Sequence, residues 1–355
     1  MVFLFSVFSI FTPYVTPFER RAQKFFTWVN SMRSRDTIEK RLLALMQENL
    51  LVLNMWLEKR FKNYRNLRKG ARKRVYTYAA AIMTDFDAFE KAHTVTLPDL
   101  RAPFDRLGVP FNSDYVPELA YLHAIMVYLN PQGRFHYQEG SAFSKLFVNI
   151  AKGERMTGDC NQIVTLYAYM FSRKFDINHL QIKLIPGHVC LHYNGIDIEA
   201  TAAGFTLYKT YDIISPITEL IATNVLDITD PTEVSASIAP ETFVKAAQLA
   251  YALSHKREIV EHNLQVAYRN LCLAALKQKN FERAYFYAEK EGGRDLLNAC
   301  YGSEFNVLAD KVRGIKLLKD AKEHRETYRK MYALAQKMND AARVKELAAL
   351  LKQIG

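Results

Sequence analysis

The chain of 355 residues reads as an α+β protein. Three observations lead there. Apolar residues recur at helical spacing from about residue 18 to 92, and again through residues 116–129 and 160–171. A run rich in β-formers fills residues 180–201 and is cut by Pro186-Gly187 and Asn194-Gly195. Helical spacing then resumes from about Pro240 to the end. Helices followed by consecutive strands are the order of an α+β fold.

The N-terminus, MVFLFSVFSIFTPYV, is apolar for about twelve residues before Pro13 and Pro17 interrupt it. That is shorter than the roughly 20 residues a membrane span needs. It has no basic leading region and no small-residue cleavage site, so a signal peptide is not expected. It reads as an element packed on the body, with a peripheral membrane anchor as the sharper alternative. Next, Leu42, Leu43, Met46, Leu50, Leu53 and Trp56 form one long apolar stripe, Val75 to Phe89 form another, and Gly70 is a candidate break between them. Residues 93–114 hold Pro98, Pro103 and Pro110 and read as a loop or boundary. A helix over 116–129 ends in the turn Asn130-Pro131-Gln132-Gly133, and a further helix is expected around Ser141 to Lys152. The expected organisation is a helical N-terminal region over 1–112, a core over 113–232 and a helical region over 240–355.

The core carries the chemistry. After Cys160, the residues Ile163, Val164, Tyr167, Met170 and Phe171 keep helical spacing, so Cys160 opens a helix on its inward face. Asp159 or Thr157 can cap that helix. The helix dipole and first-turn amides favour an anion there, and a thiol so placed is drawn toward the thiolate. The adjacent Asp159 charge works weakly against this. Strands are expected from Leu180 to Ile185, from His188 to Tyr193 and from Ile196 to Thr201. Asn-Gly between two such runs predicts a two-residue type I′ hairpin. Tyr193 then pairs with Ile196, His192 faces Asp197, and Cys190 faces Glu199. By alternation His188, Cys190, His192, Asp197, Glu199 and Thr201 share one face, while Val189, Leu191, Ile196 and Ile198 share the other. Glu199 is the diagonal neighbour of His188, about 7 Å away by backbone. Asp197 is the alternative acid, since a bulge would move the register.

Cys160, His188 and an acid in this order are a layout for acyl transfer through a thioester. His188 takes the thiol proton, and the acid fixes its tautomer. The amide of Cys160 is the simplest oxyanion donor.

The segment resembles the transglutaminase-like superfamily of papain-related folds. The matching pieces are Gly158-Asp159-Cys160, Pro186-Gly187-His188-Val189 and Glu199-Ala200-Thr201 with Gly204. Within the superfamily it looks closest to bacterial transglutaminase-like proteins with a helical-repeat C-terminus, over roughly residues 115–290. The resemblance implies a papain/transglutaminase-like core in which a nucleophile helix packs on a small antiparallel sheet. It also implies a cysteine hydrolase or acyltransferase, a protease among the options, with Cys160, His188 and Glu199 as its catalytic residues. The family's more usual D-P-T appears here as Glu199-Ala200-Thr201, which favours Glu199 over Asp197. The sequence departs from the crosslinking enzymes at Val189 and Cys190, where an aromatic usually follows the histidine. Many superfamily members hydrolyse, and some have lost activity.

Other readings compete for these residues. A lone cysteine on an apolar helix face is usually a packing residue, and the alternative function is a non-catalytic protein-binding scaffold. His188, Cys190 and His192 line one strand face with zinc-type ligands. Residues two and four apart on a strand are about 7 and 13 Å apart, so no metal or other cofactor is expected. Asn263 to Glu291 resembles a tetratricopeptide (TPR) repeat in its Tyr268, Leu271, Cys272, Ala275, Ala284 and Ala288, and a similar pair spans Arg325 to Gln353. A protein or peptide partner is expected in the core cleft and on these helices. The net charge of +11 gathers in Lys59, Arg60, Lys62, Arg65, Arg68, Lys69, Arg72, Lys73 and Arg74. A solvated face is the ordinary reading of that run; an anionic surface or nucleic acid is the alternative partner. The four cysteines are too irregularly spaced for a disulfide framework, which suits a reducing, cytoplasmic setting.

Overall fold

The computed structural model describes residues 12–62, 64, 66–139, 142–210, 213–226 and 239–355. They fall into two units, Met1–Val260 and Glu261–Gly355. The first unit mixes helices with two sheets and the second is helical, so the α+β class holds. The candidate membrane anchor lies almost wholly in residues 1–11, outside the described residues. Among the described residues no helix is long and apolar enough to cross a membrane.

Helix α1 spans Pro17–Trp28, α2 Arg35–Phe61 and α3 Lys69–Ala92. The expected stripe on α2 is buried at Leu42, Met46, Leu50, Leu53 and Trp56. The helix is not continuous. Asn49 adopts an extended backbone (φ −167°, ψ 80°) and its side chain accepts from the Val52 amide at 3.0 Å, restarting the helix as an internal cap. Every residue from Leu50 to Glu58 is then buried. The break before α3 falls at residues 62–68, while Gly70 sits inside α3.

The expected loop at 93–114 contains a helix, α4, over Leu97–Leu107. Pro98 stands in its first turn, where no amide is needed, and Thr96 with Asp99 forms a capping box. Of the three prolines that suggest a boundary, Pro98 fits the first turn, Pro103 lies in the helix interior and Pro110 follows the helix. Helix α5 follows at Val116–Tyr128. The helix expected around 141–152 shrinks to α6, Lys145–Val148, with a 3₁₀ turn at Ile150–Lys152. Gly153, at φ 75°, ends it.

Two short strands flank α6. β1 (Phe135–Tyr137) pairs in parallel with β2 (Met156–Gly158), which leads directly into α7, Cys160–Ser172. The main sheet holds β3 (Gln181–Ile185), β4 (His188–Tyr193), β5 (Ile196–Glu199), β6 (Gly204–Thr206) and β7 (Ile213–Pro216) in the antiparallel order β6-β5-β4-β3-β7. Tyr193 pairs with Ile196, His192 with Asp197 and Leu191 with Ile198, the register that Asn194-Gly195 predicts. Both turn residues have positive φ, 49° and 82°. Helices α8 (Glu219–Leu226) and α9 (Pro240–Leu253) complete this unit. Residues 227–232 of the expected core region lie outside the described residues. One continuous hydrophobic core runs from Phe18 to Leu253, so the N-terminal helices and the sheet region bury their apolar side chains together.

Two members of the basic run are not surface residues. Arg72 is 1 % exposed and binds Glu19 through Nε (2.8 Å) and Nη2 (3.0 Å), as well as the carbonyls of Leu67 and Pro13. Lys62, also 1 % exposed, lies 3.8 Å from Glu58. Neither can belong to an anionic docking face, because both charges are met inside the fold. Arg60, Arg68, Lys73 and Arg74 are exposed, Lys59 and Lys69 are half-buried, and Arg65 lies outside the described residues.

In the second unit α10 (Arg257–Lys277), which begins just before the division, α11 (Phe281–Glu291), α12 (Arg294–Val312), α13 (Leu318–Glu323), α14 (Arg325–Lys337) and α15 (Ala341–Gln353) follow in turn. The turns before α11 and α15 are built alike. Lys279 (φ 55°) and Asn339 (φ 59°) take the left-handed conformation, then Asn280 and Asp340 cap by accepting from Arg283 and Arg343. Cys272, Ala275, Ala284 and Ala288 are buried together, as the small-residue interlock requires.

The Glu19–Arg72 pair generates a stability prediction. Arg72→Met leaves the Glu19 carboxylate buried without its cation, and loss of one partner of a buried pair costs about 3 kcal/mol or more. The expected result is a lower urea midpoint with an unchanged slope; equal midpoints would show that the pair contributes nothing.

Candidate active site

The thiol is positioned from its own side by three local devices. The parallel β1–β2 pair delivers the chain to Gly158. A Cβ at Gly158 would meet Gln162 Cβ and Leu146 Cδ2 at 3.0 Å each, so a larger residue would force these neighbours to give way. Asp159 then caps α7, its side chain accepting from the amides of Asn161 (3.0 Å) and Gln162 (3.3 Å). That fixes Cys160 as the first helical residue and leaves its own amide outside the side-chain cap.

The imidazole is positioned by turns. Ile185 pairs with His188, so Pro186-Gly187 is a two-residue turn, with Gly187 at φ 71°. Proline followed by a positive-φ glycine suits a type II turn. His188 is therefore the first residue of β4. Phe171 near the end of α7 meets Tyr193 at the end of β4, ring centroids 6.2 Å apart. Helix and strand run in the same direction, and their first residues meet at the other end.

There His188 bonds Glu199 and lies beside Cys160, near enough for the thiol to act on its pKa. The Glu199 bond is Nε2 to Oε2 at 2.7 Å, so Nδ1 is the ring nitrogen left for the thiol. Cys160 is 8 % exposed; Cys190, Cys272 and Cys300 are 0 % exposed. Glu199 is held on every side. Its Oε1 accepts from the Thr201 amide (3.0 Å) and hydroxyl, and its Oε2 accepts from the Tyr208 hydroxyl at 2.7 Å. Burial alone would raise the Glu199 pKa, but the bonds from His188, Thr201 and Tyr208 bring it down to about 2. The hydrogen bond to Cys160, then that to Glu199, raises His188 to about 10 against the cost of burial.

The alternative acid is engaged elsewhere. Asp197, fully buried, receives His192 Nδ1 at 2.6 Å, Lys183 Nζ at 3.0 Å and the Tyr208 amide at 2.7 Å. Cys190 stands opposite Lys183 on the next strand, and burial followed by the Asp197 and Glu199 charges pushes its thiol far up. It is a neighbour of the site and a poor nucleophile. Among the described residues no three His, Cys, Asp or Glu side chains are grouped as a metal ion would need.

Three residues here escaped the sequence. Tyr208 lies in the loop after β6, and no periodicity marks it. Lys183 is a lone lysine in a β-rich run, ordinarily a solvent-facing residue. Tyr137, 47 % exposed at the end of β1, pairs with Gly158. Its pKa is raised by burial and then by Cys160, Asp159, Glu139 and Glu199, which places it among the site's acidic groups. A three-residue strand is too short to be read from alternation. No family model matches this chain, and no curated protein or solved structure matches it.

The two shifts define a pH window. Glu199 is depressed from 4.5, so its stabilising contribution is present above that value and is lost as pH falls toward about 2. His188 is raised from 6.5, so its contribution is complete below that value and is lost as pH rises through about 10. The unfolding free energy of the wild type should therefore exceed that of Glu199→Gln most between pH 4.5 and 6.5, with the gap narrowing on both sides. A pH-independent gap would show that the pair is not ionised as described.

Proposed function

We propose that this protein is a transglutaminase-like cysteine hydrolase or acyltransferase acting on an amide or ester, with the papain-like core that this family implies. The observation that carries the reading is the His188 imidazole set beside Cys160 and bonded to Glu199. The cap that begins α7 supports it, since it points helix amides at the sulfur's neighbourhood.

In this reading His188 Nδ1 takes the proton of Cys160, and the sulfur attacks the acyl carbon. The electron pair of the carbonyl moves onto oxygen, where the amide of Cys160 donates. Collapse breaks the bond to the leaving nitrogen or oxygen, which receives the proton from His188 Nδ1. Water or an amine then attacks the thioester, giving its proton to His188, and the thiolate leaves. Glu199 keeps Nε2–H in place throughout.

One observation favours the alternative, a non-catalytic binding scaffold: Cys160 is only 8 % exposed. The protein partner of that reading would meet the helical second unit, where Leu273, Phe286, Leu317 and Leu318 are exposed.

Iodoacetamide separates the two readings. At neutral pH Cys160 should be modified at least about tenfold faster than Cys190, Cys272 or Cys300, because burial pushes those three thiols up and closes them to solvent. His188→Ala should slow Cys160 labelling to near the rate of an ordinary buried thiol. With p-nitrophenyl acetate, an acetyl group should appear by mass on Cys160 in the wild type and be absent in Cys160→Ser. Slow, uniform labelling of all four cysteines without an acetyl adduct would sink the catalytic reading.

A further inference from the structure

Two carboxylates, Asp197 and Glu199, lie two residues apart on the same strand, and the segment that bears Tyr208 touches both. The Tyr208 amide donates to Asp197 Oδ2 at 2.7 Å, and its hydroxyl donates to Glu199 Oε2 at 2.7 Å. Lys183 Nζ closes the frame. It reaches Asp197 Oδ2 at 3.0 Å and the Tyr208 carbonyl at 2.6 Å. Lys183 is 2 % exposed and Asp197 is fully buried. The backbone of residue 208 is thus bonded on both its polar atoms to one buried ion pair, while its side chain reaches across to the site.

We propose that Tyr208 is a positioning residue of the thiol site, clamped by the Lys183–Asp197 pair so that its hydroxyl shares Glu199 Oε2 with His188 Nε2. This rests on the reading of Cys160, His188 and Glu199 as the reacting group, and it adds a support that the Cys-His-acid layout does not contain. The shared oxygen is the physical point. Two donors on one oxygen divide its negative charge, so Tyr208 weakens the hold of Glu199 on the imidazolium while fixing its direction. A histidine that must release its proton to a leaving group in each cycle benefits from that restraint. The Tyr208 ring also stands edge-on to the imidazole, centroids 6.3 Å apart, which limits tilting.

The groups facing this pair are Cys160 and Tyr167 from α7, Tyr137 from β1, Thr201 beyond β5, and Cys190, Asp197 and Lys183 on the sheet. Of these Lys183 is the cation, and its charge is met by Asp197. Nothing else among the described contacts of Glu199 Oε2 competes with His188 for that oxygen.

The test is the imidazole titration of His188 in the full chain, followed by NMR in wild type, Tyr208→Phe, Lys183→Met and the double variant. Tyr208→Phe keeps the ring and removes one hydrogen bond to a charged oxygen. It should raise the proton affinity of His188 about fivefold. Lys183→Met should raise it as well, both by releasing the clamp and by leaving the Asp197 charge unbalanced, and Tyr208→Phe should then add less in the Lys183→Met background than in the wild type, since the clamp acts through the Tyr208 hydroxyl. An unchanged His188 titration in Tyr208→Phe overturns the proposal, and so do additive effects in the double variant. Should Lys183→Met fail to fold, the Tyr208→Phe titration decides by itself. The readout needs no turnover, so a catalytically silent protein with a shifted titration would refute the proposed activity and leave this positioning role standing.

Discussion

Asn194 and Gly195, both at positive φ, fix which side chains of this protein can meet. A type I′ turn matches the twist of the strands it joins, so it sets one register and forbids the neighbouring one. A slip of one residue would turn every side chain of β5 to the other face. Asp197 and Glu199 would then point away from the histidines, and Ile196 and Ile198 would take their place. In the register observed, His192 stands opposite Asp197 and the diagonal brings Glu199 to His188. The pairing of acids with bases in the site is thus a consequence of a two-residue loop.

That register concentrates charge in a buried place, and the rest of the network answers the resulting cost. An isolated carboxylate taken from water is penalised by several kcal/mol. Asp197 is offset by Lys183, by His192 and by a backbone amide. Glu199 is offset by His188, by two groups of Thr201 and by Tyr208. The two sets differ in one respect. Asp197 has a permanent cation, whereas the cation of Glu199 exists only while His188 holds its proton. The first set is suited to holding structure and the second to passing a proton.

The candidate site was largely legible in the sequence because its determinants are local. The helix start at Cys160 follows from Asp159 and the apolar spacing after it, the strand start at His188 from Pro186-Gly187, and the acid from Asn194-Gly195. What escaped depends on distant partners. Asn49 interrupts α2 inside a run whose spacing is helical on both sides, and only a cap formed in three dimensions reveals it. Thr96 and Asp99 do spell a capping box, but three nearby prolines outweighed them. Lys62 and Arg72 belong to a basic run by composition and to the core by contact, with Glu58 one turn before Lys62 and Glu19 reaching Arg72 from α1. Lys183 and Tyr208 have no periodic signature; their role depends on Asp197, which the sequence placed with His192 alone.

The contrast between two polar clusters bears on whether Cys160 and His188 merely pack. A polar group kept for structure is driven toward full burial and complete satisfaction, as Lys183 and Asp197 are, at 2 % and 0 % exposure. His188 instead leaves 25 % of its side chain open, and Cys160 is the one thiol of four with any exposed surface. Neither residue is required by its own element. Asp159 caps α7 whatever follows it, and the Pro186-Gly187 turn sets β4 whatever begins it. Gly158 packs closely against Leu146 and Gln162, and the parallel β1–β2 pair needs the crossover that α6 supplies. Separate devices therefore deliver a thiol and an imidazole to one partly open point. Packing alone would be served as well by two apolar side chains there, and a reacting pair would not.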